Sequence, residues 1–180
     1  RAENKQWADL ISSLIDDGKD LNGEDYTSSG KSPKESKQAR WSRLLLTHIY
    51  SINGIKAPSD DDSHVDHIVS RENWADYIDT LDEEKKENAN YSNNLVNLCL
   101  LDDSTNSAKN SNGLDHADIT NNNAIKGAIE KYAGIKESKF STYASANEKT
   151  YENLKKDRIN FLKTDFLKNR QEKFLKSEKI

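Results

Sequence analysis

Apolar residues along this chain change period several times, and each change marks an element. Trp7, Leu10, Ile11, Leu14 and Ile15 recur at i, i+3, i+4, i+7 and i+8 and stop short of Gly18, which predicts an amphipathic packing helix. Leu21 and Tyr26 are the only bulky groups from Lys19 to Lys31, so a loop follows. Ser32-Pro33-Lys34-Glu35 is a capping box with proline at the first helical position. The helix it predicts has Trp41, Leu44, Leu45, His48, Ile49 and Ile52 as its apolar face and a left-handed stop at Asn53-Gly54. His48 on that face reads as a packed, hydrogen-bonded core residue rather than a ligand.

The period then shortens. Ala57-Pro58 and Asp60-Asp61-Asp62 form a turn into a short strand, His64 to Val69. The three aspartates lack the alternating spacing and distal glutamate of an EF-hand, so they read as a solvated loop. Trp74, Tyr77, Ile78 and Leu81 predict a short helix, followed by an exposed polar connector from Asp82 to Asn94. Leu95 to Leu101 predicts a second strand, interrupted by Asn97. A helix starts at Thr105, with Ser104 or Thr105 as cap and Asn106 in its first turn. Ile125, Ile129 and Tyr132 mark another helix, ended by Gly134. From Glu148 to Lys179 the chain is basic and helical in composition, with a break near Thr164. The expected class is therefore α+β and mostly helical. Residues 1–58 form an N-terminal helical support, 59–115 a core around two strands, and 116–180 a basic helical region, together one compact unit.

Composition narrows the setting. With 180 residues, 33% hydrophobic and 32% charged, the chain can bury a modest core beneath a heavily charged surface. The lone Cys99 excludes an intrachain disulfide framework and fits a reducing, cytoplasmic setting. No apolar run approaches the ~20 residues that cross a bilayer, so no membrane partner is expected. The chain starts at Arg1 and contains no methionine, so it is expected to be part of a longer protein. The net charge of −4 is unevenly spread: residues 60–87 hold eleven acids against Arg71, Lys85 and Lys86, whereas residues 151–180 hold nine Lys and Arg against five acids. A polyanion is steered to the C-terminal part and repelled by the acidic stretch unless metal ions intervene.

The candidate chemistry lies between His64 and Lys109. Hydrolysing a phosphodiester needs a base for water, a cation for the developing charge and a donor near the phosphate. On a strand, adjacent Asp66 and His67 point to opposite sides, so one can ligate a metal while the other faces substrate. Asp66 supplies a hard carboxylate oxygen and Asn106 an amide oxygen, a two-ligand set that suits Mg²⁺ because Mg²⁺ keeps several waters. His67, with a pKa near neutrality, is suited to take a proton from the attacking water. Lys109, one turn after Asn106, can meet a phosphate as a point charge.

These residues resemble an HNH, or ββα-metal, nuclease. The matching positions are Asp66, His67 and Ile68 on the first strand, then Asn97, then Asn106 with Lys109 after it. The opening string VDHIV and the Asn97-to-Asn106 interval are similar to those of the HNH domain of the RNA-guided CRISPR effector nuclease. The flanks resemble the C-terminal HNH domain of GmrSD-type, modification-dependent restriction and phage-defence proteins, through Arg40-Trp41 with Leu44 to Leu46, His67-Ile68, Asn97-Leu98 with Leu100-Leu101, Asn106-Ser107 and the Arg158 to Arg170 segment. Both families usually have proline where Ser70 stands, which touches strand termination rather than chemistry. The resemblance implies a small ββα-metal hairpin–helix core that nicks or cleaves double-stranded DNA. His67 is then the general base, Asp66 and Asn106 hold Mg²⁺ (or Mn²⁺ or another divalent ion), Asn97 braces the loop, and 5′-phosphate ends result. It also implies an N-terminal regulatory or NTPase domain elsewhere in the same protein.

Several roles stay open on the residues alone. His64 shares the strand face of Asp66 and is a third ligand, a wall of the site or a solvated strand residue. Arg71 either touches the substrate backbone or pairs with nearby acids, and the basic tail either contacts DNA or is a solvated helix face. His116 reads as a helix-boundary residue before a ligand. Two rival functions remain: an HNH toxin domain, whose partner is an acidic immunity protein, and a non-catalytic binding or assembly module that keeps the hairpin as a scaffold.

Overall fold

The computed structural model describes residues 6, 9–14, 37–59, 63–88 and 91–163. The predicted loop at 19–31, the Ser32 capping box, the aspartates at 60–62, Trp7, Ile15 and everything from Thr164 onward lie outside them. Within them the chain is mostly helical around a two-stranded antiparallel sheet, consistent with the α+β expectation.

In order, the elements are α1 (9–14), α2 (Lys37–Ile52), β1 (Ser63–His67), α3 (Arg71–Asp79), α4 (Glu83–Asn88), a 3-10 turn (Leu95–Asn97), β2 (Leu98–Asp102), α5 (Asp103–Lys109), α6 (Ala117–Thr120), α7 (Asn123–Ala133), a 3-10 segment (Glu137–Tyr143) and α8 (Glu148–Leu162). The strands pair in one register, Ser63 with Asp102 through His67 with Leu98, which sets Asp66 across from Cys99. Leu98 to Leu101 are all buried, so β2 is covered on both faces, and a single hydrophobic cluster runs from Ile11 through Leu46, Trp74 and Leu100 to Leu162.

Among the described residues β2 pairs with β1 alone, so the backbone groups on its other edge need partners elsewhere. The Tyr50 hydroxyl accepts from the Leu100 N–H and donates to the Tyr132 carbonyl, 2.8 Å in each case. That role explains a shift in α2. Its buried face is Ser42, Leu46, Ile49 and Tyr50, while Leu44 is 62% exposed and His48 is also exposed. The expected face was therefore rotated, and His48 is not a core residue. Three consecutive leucines leave the phase of this helix ambiguous, and the need for a hydroxyl at β2 decides it.

Element ends follow local chemistry. Gly54 and Gly134 take left-handed φ values of 70° and 69° and stop α2 and α7 as expected. At Gly134 a Cβ would also lie 2.8 Å from the Phe161 ring. His116 caps α6 by accepting from the Asp118 N–H, as a helix-boundary residue should. Ser70 caps α3 by accepting from the Asn73 N–H at 3.1 Å. Helix α5 begins at Asp103, two residues earlier than expected, because Asp102 rather than Ser104 or Thr105 is the cap. The polar connector contains the short α4, and the predicted strand 95–101 splits into a turn and a strand at Asn97.

Candidate functional site

The site is built where β1 ends. Antiparallel pairing stops at His67, yet the chain continues alongside β2: the Ile68 N–H donates to the Asn97 carbonyl at 2.8 Å. The Asn97 side chain then replaces the missing ladder. Its Oδ1 accepts from the Val69 N–H and its Nδ2 donates to the Val69 carbonyl, both at 2.9 Å, and the same Nδ2 donates to the Ser92 carbonyl at 2.9 Å. With 0% exposure and three hydrogen bonds, Asn97 is a buried amide that locks the turn directly after His67. This accounts for the polar interruption in an apolar strand. Asn94 supports the turn from the other side, accepting from the Val96 N–H at 3.1 Å.

His67 is half-buried, and its Nε2 lies 2.9 Å from Oδ1 of Asn93. With an amide oxygen as partner, Nε2 carries the proton and Nδ1 presents its lone pair. Burial pushes the imidazole pKa down to about 4, with the charges of Arg71 and Lys109 acting in the same direction and the Asn93 hydrogen bond opposing them. This is lower than the near-neutral value expected from sequence, and the ring is an unprotonated acceptor at neutral pH.

Asp66 is 8% exposed and faces α5. Lys109, itself 1% exposed, places its ammonium 3.1 and 3.4 Å from the two carboxylate oxygens and donates to the His67 carbonyl at 2.7 Å. Burial raises the Asp66 pKa, and the attraction of Lys109 offsets part of the rise. The placement of Lys109 differs from the expectation of a phosphate contact, because its amine points into the protein. The Cys99 thiol lies 4.0 Å from Asp66, and burial pushes its pKa up to about 12.

Asn106 is half-buried one helical turn before Lys109 and one turn after Asp103. Both neighbours reach β1: Asp103 lies 3.3 Å from His64 Nε2, and Lys109 lies against Asp66. Asn106 therefore sits on the face of α5 that runs along the His64–Asp66 side of the strand. His64 is half-exposed at the far end of that line. Arg71, at the start of α3, is exposed and close enough for its charge to act on His67.

Asp66, His67, Asn97 and Lys109 thus converge on the end of β1, with Asn106 alongside and Arg71 at the rim. Sequence reasoning missed Asn93 and Asp103. Asn93 stands in an asparagine-rich connector where no spacing distinguishes it, and the acid run of Asp102-Asp103 signals a helix start before it signals a histidine partner.

Among the described residues, no three or more His, Cys, Asp and Glu side chains gather to hold a metal ion. Asp66 and Asn106 carry hard oxygens of the kind Mg²⁺ takes, the Asp103 carboxylate stands on the same face beside His64, and the Asp66 carboxylate is occupied by the Lys109 ammonium. In chemical type these donors suit a divalent ion that keeps most of its water, and such an ion would have to displace or share Asp66 with Lys109. None of the described helices is long and apolar enough to cross a membrane. No protein-family model matches the chain, and no curated protein or solved structure matches it.

Proposed function

We propose that the chain is a metal-dependent DNA endonuclease domain of the HNH, ββα-metal type, belonging to a bacterial restriction or anti-phage defence protein. The observation that carries this reading is the end of β1, where an unprotonated His67 is held by Asn93 on one side and by the Asn97-locked turn on the other. A base needs this combination of fixed orientation and neutral charge. Ser70 replaces the proline usual in that family and caps α3, while Asn97 ends the strand pairing.

In this reading Nδ1 of His67 takes a proton from the water that attacks phosphorus, the bond to the 3′ oxygen breaks, and a 5′-phosphate end is released. Arg71 at the rim meets the DNA backbone, and the phosphate it draws in raises the basicity of His67 by screening Arg71 and Lys109, whose charges add to the larger effect of burial. Asn97 keeps the ring in place. Asp66 and Asn106 would hold Mg²⁺, which when bound supplies charge stabilisation to the leaving oxygen. Lys109 balances the Asp66 carboxylate and ties α5 to the His67 carbonyl.

Nicking of supercoiled plasmid in Mg²⁺ is the test. Wild-type activity that survives His67→Ala or excess EDTA would sink the mechanism. One observation favours a second reading, a non-catalytic nucleic-acid-binding or assembly module: the Asp66 charge is already balanced by Lys109. DNA binding without cleavage, unchanged in Asp66→Ala, would select that reading.

A further inference from the structure

We infer that Arg158 of α8 is a positioning residue for the site, acting on His67 through the Asn97 turn. The sequence places Arg158 in a basic tail, but its side chain is fully buried. It meets main-chain carbonyls: Nη1 donates to Leu95, Val96 and Leu98 at 2.9, 2.7 and 2.8 Å, and Nε donates to Ala133 at 2.8 Å. Nη2 is buried with no hydrogen-bond partner. The guanidinium also lies 5.7 Å from the Phe161 ring centroid.

The three carbonyls bound by Nη1 bracket Asn97. Carbonyl dipoles that converge on one point repel each other unless a cation sits among them, so the shape of the 95–98 turn depends on Arg158. That shape aims the Asn97 amide at both backbone groups of Val69 and its carbonyl at Ile68. These bonds fix the chain directly after His67. A lysine has the charge but not the fork, and cannot reach Ala133 and the turn together. Helix α8 therefore holds the turn that follows His67.

The inference rests on the proposed role of His67, and its test separates the two. Amide hydrogen exchange is measured by NMR on the full chain, wild type and Arg158→Lys. The Ile68 and Val69 amides are expected to exchange about tenfold faster in the variant relative to Ile129 in α7, as loss of hydrogen bonds to the turn would produce. Equal acceleration at all three positions, or none, overturns the inference and assigns Arg158 to general stability. If Arg158→Lys does not fold, denaturant-dependent exchange of the wild type decides: α8 opening while Ile68 and Val69 stay protected also overturns it. In plasmid nicking, Arg158→Lys should lower kcat about tenfold at unchanged KM. A wild-type chain that never cleaves defeats the nuclease reading and leaves the exchange result standing.

Discussion

Among the described residues two cations, Lys109 and Arg158, are buried, and they are solvated by the protein in different ways. Lys109 faces a carboxylate and one carbonyl, whereas Arg158 faces four carbonyls and, among the described residues, no carboxylate. An ion pair balances charge, and either partner can in principle exchange its counter-ion for another. A cation held by carbonyl dipoles has no such exchange available, since the dipoles belong to the backbone and stay where the chain puts them. The first arrangement suits the metal site proposed above, and the second suits a scaffold.

The sharpest way to break this contrast is to delete the Arg158 guanidinium. Arg158→Met takes the guanidinium from four buried carbonyls, of which Leu95 keeps the Leu98 N–H as a donor, and denaturant unfolding should show a loss of about 4 kcal/mol, enough to leave little folded protein. Lys109→Met comes next. It strands the Asp66 charge, and the expected loss at pH 7 is about 3 kcal/mol. Asp66 already has a raised pKa, and without Lys109 it rises further, so the folded variant protonates Asp66 before the unfolded chain does. The penalty is then full above the folded pKa and fades as pH falls through it. Adding Mg²⁺ should stabilise Lys109→Met more than wild type, since the competing ammonium is gone; an equal response would count against Asp66 as a ligand. Adding Asp66→Asn should recover most of the loss.

Asn97→Ala removes three hydrogen bonds, two of them buried, and should cost about 2 kcal/mol in the same measurement, with the faster exchange confined to the turn. The smallest effect is spectroscopic. His67 should titrate near pH 4 by NMR, and Asn93→Ala should move the midpoint lower, because that hydrogen bond is the contribution that raises it. The folded pKa lies below the unfolded value of about 6.5, so His67 favours the folded state fully above pH 6.5 and loses that contribution as pH falls toward 4. Asp66, with its raised pKa, acts in the opposite sense at the acid end. A midpoint near 6.5 would mean that the ring is solvated.

The elements that were legible in advance are those whose ends carry their own chemistry: the stops at Gly54 and Gly134, the His116 cap and the two short strands. Asp66, His67, Asn97 and Asn106 were readable as candidates because Asp-His on a strand and a polar residue inside an apolar run are anomalies. What was not legible depends on distant partners. Whether Lys109 points outward or inward is decided by a carboxylate 43 residues away, and nothing in its helix specifies that. The phase of α2 is set by Leu100 and Tyr132 across the core, not by its own leucines. Asn93 and Arg158 act by what they touch, and their neighbours in sequence give no sign of it.

The hydroxyl of Tyr50 has one more effect. By engaging the Leu100 N–H, while Arg158 engages the Leu98 carbonyl, it closes the outer edge of β2 to any further strand. A ribbon of two strands is ordinarily an invitation to backbone pairing between molecules. Here a phenol and a guanidinium occupy that edge, so association of this chain with itself or with a partner along β2 must proceed through side chains, and the strand is removed as a seed for aggregation.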